Sequence, residues 1–217
     1  KFPMRKYGMV RDLLALDDGL FRFEQAQVAS PEVIRLAHDP AYVDRFLDGT
    51  LDRSIIRRIG FPWSEGLVRR TLASVGGSLA AAGDALRYGW SGNLAGGTHH
   101  AFYSEGSGFC VFNDIAVVIQ WLRAEHGVRR VAVIDLDVHQ GDGTALLFAA
   151  DPDVLTLSMH GKNNFPFRKQ VSKLDVELAD GMEDAAYLAH LVEVLPRVFA
   201  FEPEFVIFQS GVDTLAT

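Results

Sequence analysis

Three short apolar runs in the second half of the chain predict buried β-strands. They cover residues 131–136, 154–158 and 205–209, and each is rich in branched or aromatic side chains. Runs of this length without polar alternation are typical of strands that are buried on both faces. Helical segments are expected between them, and alternating strands and helices favour a parallel sheet. The sequence therefore predicts an α/β fold, a three-layer sandwich with a central parallel sheet flanked by helices.

Helix-period patterns and capping residues dominate the first half of the chain. Ser30 is a predicted N-cap with Pro31 at the first helical position, and Ser64 is a predicted N-cap of a longer helix. Asp39 and Pro40 break the chain before another helix. Further predicted helices cover residues 7–19, 40–48 and 114–125.

Composition narrows the class of protein. The chain has 217 residues and a net charge of −7, without a basic stripe, so direct nucleic-acid binding is not expected. Cys110 is the only cysteine, which fits a reducing compartment. No apolar run approaches the ~20 residues of a membrane helix, and the first residues lack a signal-peptide core. We therefore expect a cytoplasmic protein without a membrane partner.

A dense polar cluster directly follows the apolar run that begins at Val131. Asp135, Asp137 and His139 alternate at period two, so an extended backbone would point all three to one side. Such a group at a buried strand end is costly unless a cation neutralises it. Carboxylate and imidazole ligands suit zinc or iron. The competing interpretation is a solvated acidic loop, which the uncharged strand before it makes less favourable.

Two adjacent histidines, His99 and His100, follow a pair of glycines. They could form a second metal site, a general base with an electrostatic helper, or a chance surface pair. Beside an aspartate-rich strand end the catalytic interpretation is favoured. Asp135 and Asp142 are then the spare acids that could fix the two histidine tautomers.

Asp213 lies just beyond the carboxyl end of the predicted strand 205–209. Because the carboxyl ends of parallel strands meet at one edge, this residue could be a third metal ligand. A loop or helix-cap aspartate is the alternative.

Four motifs, in this order along the chain, resemble the histone deacetylase superfamily, whose members share the arginase–deacetylase fold. They are residues 96–101, 108–114, 135–143 and 211–213. A glutamine directly after His139, here Gln140, is the residue found in class IV members and their bacterial relatives. The resemblance covers essentially the whole chain and implies that fold.

The resemblance also implies residue roles. Zinc, or iron(II) in the cell, would be bound by Asp137, His139 and Asp213. His100, paired with Asp142, would be the general base and later the acid, and His99, paired with Asp135, would act electrostatically. The substrate tunnel would be lined by Gly108, Phe109 and Phe165. A structural potassium ion would use Asp135, Ser158 and the backbone of Asp137, His139 and Met159.

The implied function is zinc-dependent hydrolysis of acyl-lysine, with an acetyl or longer fatty acyl group, in a protein or peptide. An acetylpolyamine amidohydrolase on the same fold is an alternative, since an acyl-polyamine could be the substrate instead. The resemblance leaves the oligomeric state open.

One expected residue has no counterpart. Relatives stabilise the oxyanion with a tyrosine in a glycine-rich loop after the third ligand. The five tyrosines here all precede Asp213: Tyr7, Tyr42, Tyr88, Tyr103 and Tyr187. We therefore expect residues 1–217 to form a single deacetylase-like catalytic domain that is incomplete at both ends and truncated at the C-terminus. Weak activity of these residues alone, or a non-catalytic binding module, would follow.

Overall fold

A four-stranded parallel sheet organises the protein in the computed structural model, which describes residues 2–17 and 19–214. The strand order is β3-β2-β1-β4. In chain order the elements are α1 (Lys6–Leu14), α2 (Pro31–Ile34), α3 (Pro40–Leu47), α4 (Arg53–Ile59), α5 (Glu65–Tyr88), α6 (Asp114–His126), β1 (Val131–Asp135), α7 (Asp142–Leu147), β2 (Val154–Gly161), β3 (Leu174–Leu178), α8 (Asp184–Phe199) and β4 (Phe205–Gln209).

The two faces of the sheet are covered by different helices. On one face, Val131 and Val133 join a large apolar core with α3, α5 and α6. On the other, Ala132 and Leu157 pack with Val194 and other side chains of α8. This alternation follows from the period-two geometry of a strand. The predicted three-layer α/β sandwich with a parallel sheet is confirmed.

The predicted N-cap residues can be compared with the observed helix starts. Ser64 Oγ accepts a hydrogen bond from Leu67 N at 3.1 Å, and α5 starts at the next residue. Ser30 makes no such capping bond, and the helix after it is a single turn. The predicted helix 7–19 ends early, at Leu14, since no residue of α1 is buried and the short helix lacks tertiary support. Asp18, within that predicted range, lies outside the described residues.

The strands also depart from expectation at the sheet edges. The run 205–209 forms β4, but Val206 is 43% and Phe208 58% exposed, so the prediction of a fully buried strand is wrong there. β4 is an edge strand, and the described helices cover only one of its faces. β3 was not predicted, because Asp175 and Glu177 interrupt its apolar residues. None of the described helices is long and apolar enough to cross a bilayer.

Candidate active site

The carboxyl ends of β1 and β4 meet at one edge of the sheet, and the polar cluster lies there. β4 pairs with β1 in parallel, so Asp135 is level with Gln209. The turn after β1 is held by side-chain bonds: Asp135 accepts from Asp137 N at 3.1 Å, and Asp213 accepts from Val138 N at 3.1 Å. The two chain segments are thus fixed to each other by the residues that carry the chemistry.

Asp137, His139 and Asp213 converge at this edge. His139 Nδ1 lies 3.0 Å from Asp137 Oδ1 and 3.2 Å from Asp213 Oδ2. One ligand atom from each residue lies within 4.8 Å of the other two. Gly211 makes this approach possible, because a Cβ there would lie 2.5 Å from the Cα of Asp137. Two carboxylates and one imidazole at this spacing fit a single divalent cation.

The charges of this trio are strongly coupled. Hydrogen bonds to both carboxylates raise the pKa of His139 to about 9. Burial opposes ionisation of Asp213, but hydrogen bonds from His139 and Val138 N lower its pKa to about 2. The three groups thus attract positive charge, which a divalent cation bound among them would supply in place of the imidazole proton.

The two adjacent histidines each bind a different aspartate. His99 Nδ1 lies 2.6 Å from Asp135 Oδ2, and His100 Nδ1 lies 2.6 Å from Asp142 Oδ1. All four residues are buried, and the two imidazole rings are 4.1 Å apart between centroids. The structure thus forms both of the pairs that the resemblance implied.

The two imidazoles differ in their readiness to carry a proton. Burial disfavours charge on both, but the Asp135 carboxylate raises the pKa of His99 to about 9. The pKa of His100 is lowered by burial and by the positive charge of His99. His99 is therefore the cationic partner near neutral pH, and His100 is the neutral one.

Asp114 shapes the glycine loop that precedes the histidines. Its carboxylate accepts from Gly97 N at 3.0 Å, Thr98 N at 2.7 Å, Thr98 Oγ1 at 2.6 Å and Ser78 Oγ at 2.5 Å. The loop wraps around it with positive φ at Gly96 (+105°) and Gly97 (+69°), a conformation that glycine adopts readily. Sequence reasoning missed this role, because the first acidic residue of a helix normally indicates only a helix start.

Gly108 and Phe165 both lie against His100. A Cβ at Gly108 would lie 2.7 Å from His100 Cδ2 and 3.0 Å from Phe165 Cε1. The ring of Phe165 is 4.9 Å from that of His100 and 6.2 Å from that of His139, between centroids. Gly108 and Phe165 are therefore brought together at the site.

Phe109, the third predicted tunnel residue, lies at the surface of the protein. Its side chain is 46% exposed and its ring packs on Phe61 and Phe2, at 5.1 and 5.4 Å between centroids. Its role in a substrate tunnel stays a prediction.

Two residues of the predicted potassium site, Asp135 and Ser158, lie on adjacent strands. Ser158 pairs in register with Asp135 on the neighbouring strand and is buried. The side chain of Met159 joins the core on the opposite face, so only its backbone is directed toward this region. The potassium ion stays a prediction.

A family model described as a histone deacetylase domain matches residues 2–217. The chain belongs to the histone deacetylase family. The predicted resemblance and the arginase–deacetylase fold are thereby confirmed. The extent of the catalytic domain and the roles of the site residues stay predictions.

Three proteins to which this chain is similar are longer than it is. An uncharacterized protein of Picosynechococcus sp. is 45% identical over 99% of the chain and 72% of its own length. The acetoin utilization protein AcuC of Bacillus subtilis is 33% identical, over 95% of the chain and 59% of AcuC. A solved HDAC homologue from Aquifex aeolicus has a TM-score of 0.82 and 27% identity, with 96% of this chain and 62% of that chain covered. The chain thus spans less than two thirds of the last two.

Gln140 is a second residue of this histone deacetylase-family site whose contacts the sequence did not indicate. It is 1% exposed, and its side-chain amide binds the main chain of Gln170 and the carboxylate of Asp175. These partners follow it by thirty or more residues, and no local pattern marks them.

Proposed function

We propose that this chain carries the catalytic centre of a zinc-dependent deacylase that hydrolyses the amide of acyl-lysine in a protein or peptide. The observation that supports it is the convergence of Asp137, His139 and Asp213 beside two buried histidine–aspartate pairs. A coarser assignment, a deacetylase-family hydrolase, follows from the family alone.

The proposed ligand set fits zinc. Asp137, His139 and Asp213 would hold the ion, leaving further coordination positions for water and substrate. When bound, a divalent zinc ion supplies Lewis-acid polarisation of the acyl carbonyl and acidifies a water molecule. A potassium ion beside Asp135 and Ser158 belongs to the same proposal, as does a cytoplasmic location.

Proton transfer is the proposed work of His100. Because its Nδ1 donates to Asp142, its Nε2 carries the lone pair and can accept a proton from the attacking water. The same nitrogen can then return the proton to the departing amine of lysine. His99, cationic beside Asp135, keeps the pKa of His100 low and stabilises negative charge that develops on the acyl oxygen.

Gly108 and Phe165 flank the proposed path of the lysine stem, which we call the acyl-chain slot. It ends at His100, so an extended apolar chain would bring its terminal amide to the base. Phe109, Phe61 and Phe2 would contact the peptide or the acyl-polyamine at the rim.

The test uses the intact protein, with zinc analysis and turnover of acetyl- and longer acyl-lysine peptides beside acetylpolyamines. His100→Ala should keep its zinc and lose about 10²–10⁴-fold in turnover, because the positioned base is removed. The control is His126→Ala, at the exposed end of α6, which should be unchanged. Zinc-loaded wild-type protein without turnover of any of these substrates would instead indicate a binding module.

A further inference from the structure

The loop between β2 and β3 carries Phe165 but contains no regular secondary structure. Something other than a backbone ladder must therefore hold Phe165 against His100. Asn164 provides one attachment, since its Nδ2 donates to Val138 O at 2.7 Å. Lys169 Nζ closes the bend within the loop by donating to Asn164 O at 2.6 Å and Pro166 O at 2.8 Å.

Gln140 provides the second attachment. Its Nε2 donates to Gln170 O at 2.8 Å, and its Oε1 accepts from Gln170 N at 2.8 Å. A side-chain amide here replaces the partner that a neighbouring strand would supply. The same Nε2 also donates to Asp175 Oδ1 at 2.9 Å, at the start of β3. Gln140 is buried, so these bonds have little competition from water.

We propose that Gln140 is a positioning residue that sets the Phe165 wall of the acyl-chain slot. Gln140 directly follows His139 in sequence, so its amide ties the loop of the proposed metal ligands to the substrate wall. It touches neither substrate nor cation itself. The inference rests on the proposed function, and it predicts a role in substrate binding rather than in proton transfer.

Gln140→Met is the decisive variant, because methionine keeps the chain length and removes both the donor and the acceptor of the side-chain amide. In the intact, zinc-loaded protein we expect KM for an acyl-lysine peptide to rise roughly five- to a hundredfold, the range for the two lost hydrogen bonds to Gln170 that attach the loop. The kcat value and the zinc content should change little. Gln120→Ala, on α6, is the control and should alter neither KM nor kcat.

Amide hydrogen exchange of residues 163–170 gives a second readout that does not depend on activity. Without the Gln140 amide, exchange at Gln170 N should accelerate about tenfold or more, while exchange in β1 stays the same. Unchanged exchange in this loop would overturn the proposal. So would accelerated exchange with an unchanged KM, because the wall would then not depend on Gln140.

A rescue pair separates these contacts from a general loss of packing. Gln140→Glu places a carboxylate against that of Asp175, so KM should rise at least as far as in Gln140→Met. Adding Asp175→Asn restores a donor between the two side chains and should recover part of the loss. The absence of any recovery would count against the proposed contact. Failure of the proposed function would appear separately, as inactive wild-type protein.

Discussion

Replacing Asp114 with alanine removes the carboxylate around which the histidine-bearing loop is folded. Two backbone donors, Gly97 N and Thr98 N, lose their partner inside the protein. A buried donor without a partner costs about 1–3 kcal/mol. Gly97 N and Thr98 N are partly buried, so the pair accounts for at most about 2–6 kcal/mol. The hydroxyls of Thr98 and Ser78 keep a main-chain carbonyl partner and add little. The lost charge at the start of α6 contributes a further ~0.3–1 kcal/mol.

Urea unfolding of the intact protein measures this loss as a lower midpoint at unchanged slope. Asp184→Ala is the matched control, because Asp184 is also the first residue of a helix but is exposed. It should lose only the ~0.3–1 kcal/mol of the helix-end charge. Asp114→Asn should lose an intermediate stability of about 1–3 kcal/mol. Its amide oxygen can still accept from Thr98 N, and only Gly97 N then faces the side-chain NH2 group, which cannot accept a hydrogen bond. Equal losses for Asp114→Ala and Asp184→Ala would refute the view that Asp114 organises the loop.

Two further predictions concern His38 and Gly211. Burial lowers the pKa of His38 to about 4, so its imidazole signals should titrate near pH 4 by NMR. Folding stability should then fall as pH drops from about 6.5 towards 4, by up to ~1.4 kcal/mol per pH unit, because only the unfolded state takes up the proton. Titration of the His38 imidazole near pH 6.5 would contradict this expectation. Gly211→Ala should cost about 1–3 kcal/mol in urea unfolding and weaken zinc binding in a titration, since its Cβ would lie 2.6 Å from the Cβ of Asp137. Unchanged zinc affinity would show that the segment shifts without moving Asp213.

The central strands and the first polar residues of the candidate site could be predicted because their signals are local. β1 is a continuous apolar run, and Asp135, Asp137 and His139 follow it at the spacing of an extended chain. Asp213 could be added because a parallel sheet brings strand ends to the same edge.

Features that depend on distant partners could not be predicted. The half-exposed face of β4 follows from its edge position, which its apolar sequence does not encode. The sequence of β3 looks polar because its acidic residues alternate with apolar ones. One of these acidic residues, Asp175, accepts a hydrogen bond from the distant Gln140. The role of Asp114 depends on the bend of the glycine loop, which exists only once α5 and α6 are packed together.

β1 and β4 are neighbours in the sheet but distant in the sequence, so the proposed centre forms from segments that are synthesised at different times. Val131 pairs with Phe205, although β2, β3 and α8 are made between them. A nascent polypeptide on the ribosome thus has both histidine–aspartate pairs long before Asp213 emerges. Contacts between such distant segments form late, because a long loop must close first. The proposed cation site is therefore assembled only when the segment that follows β4 reaches the carboxyl end of β1.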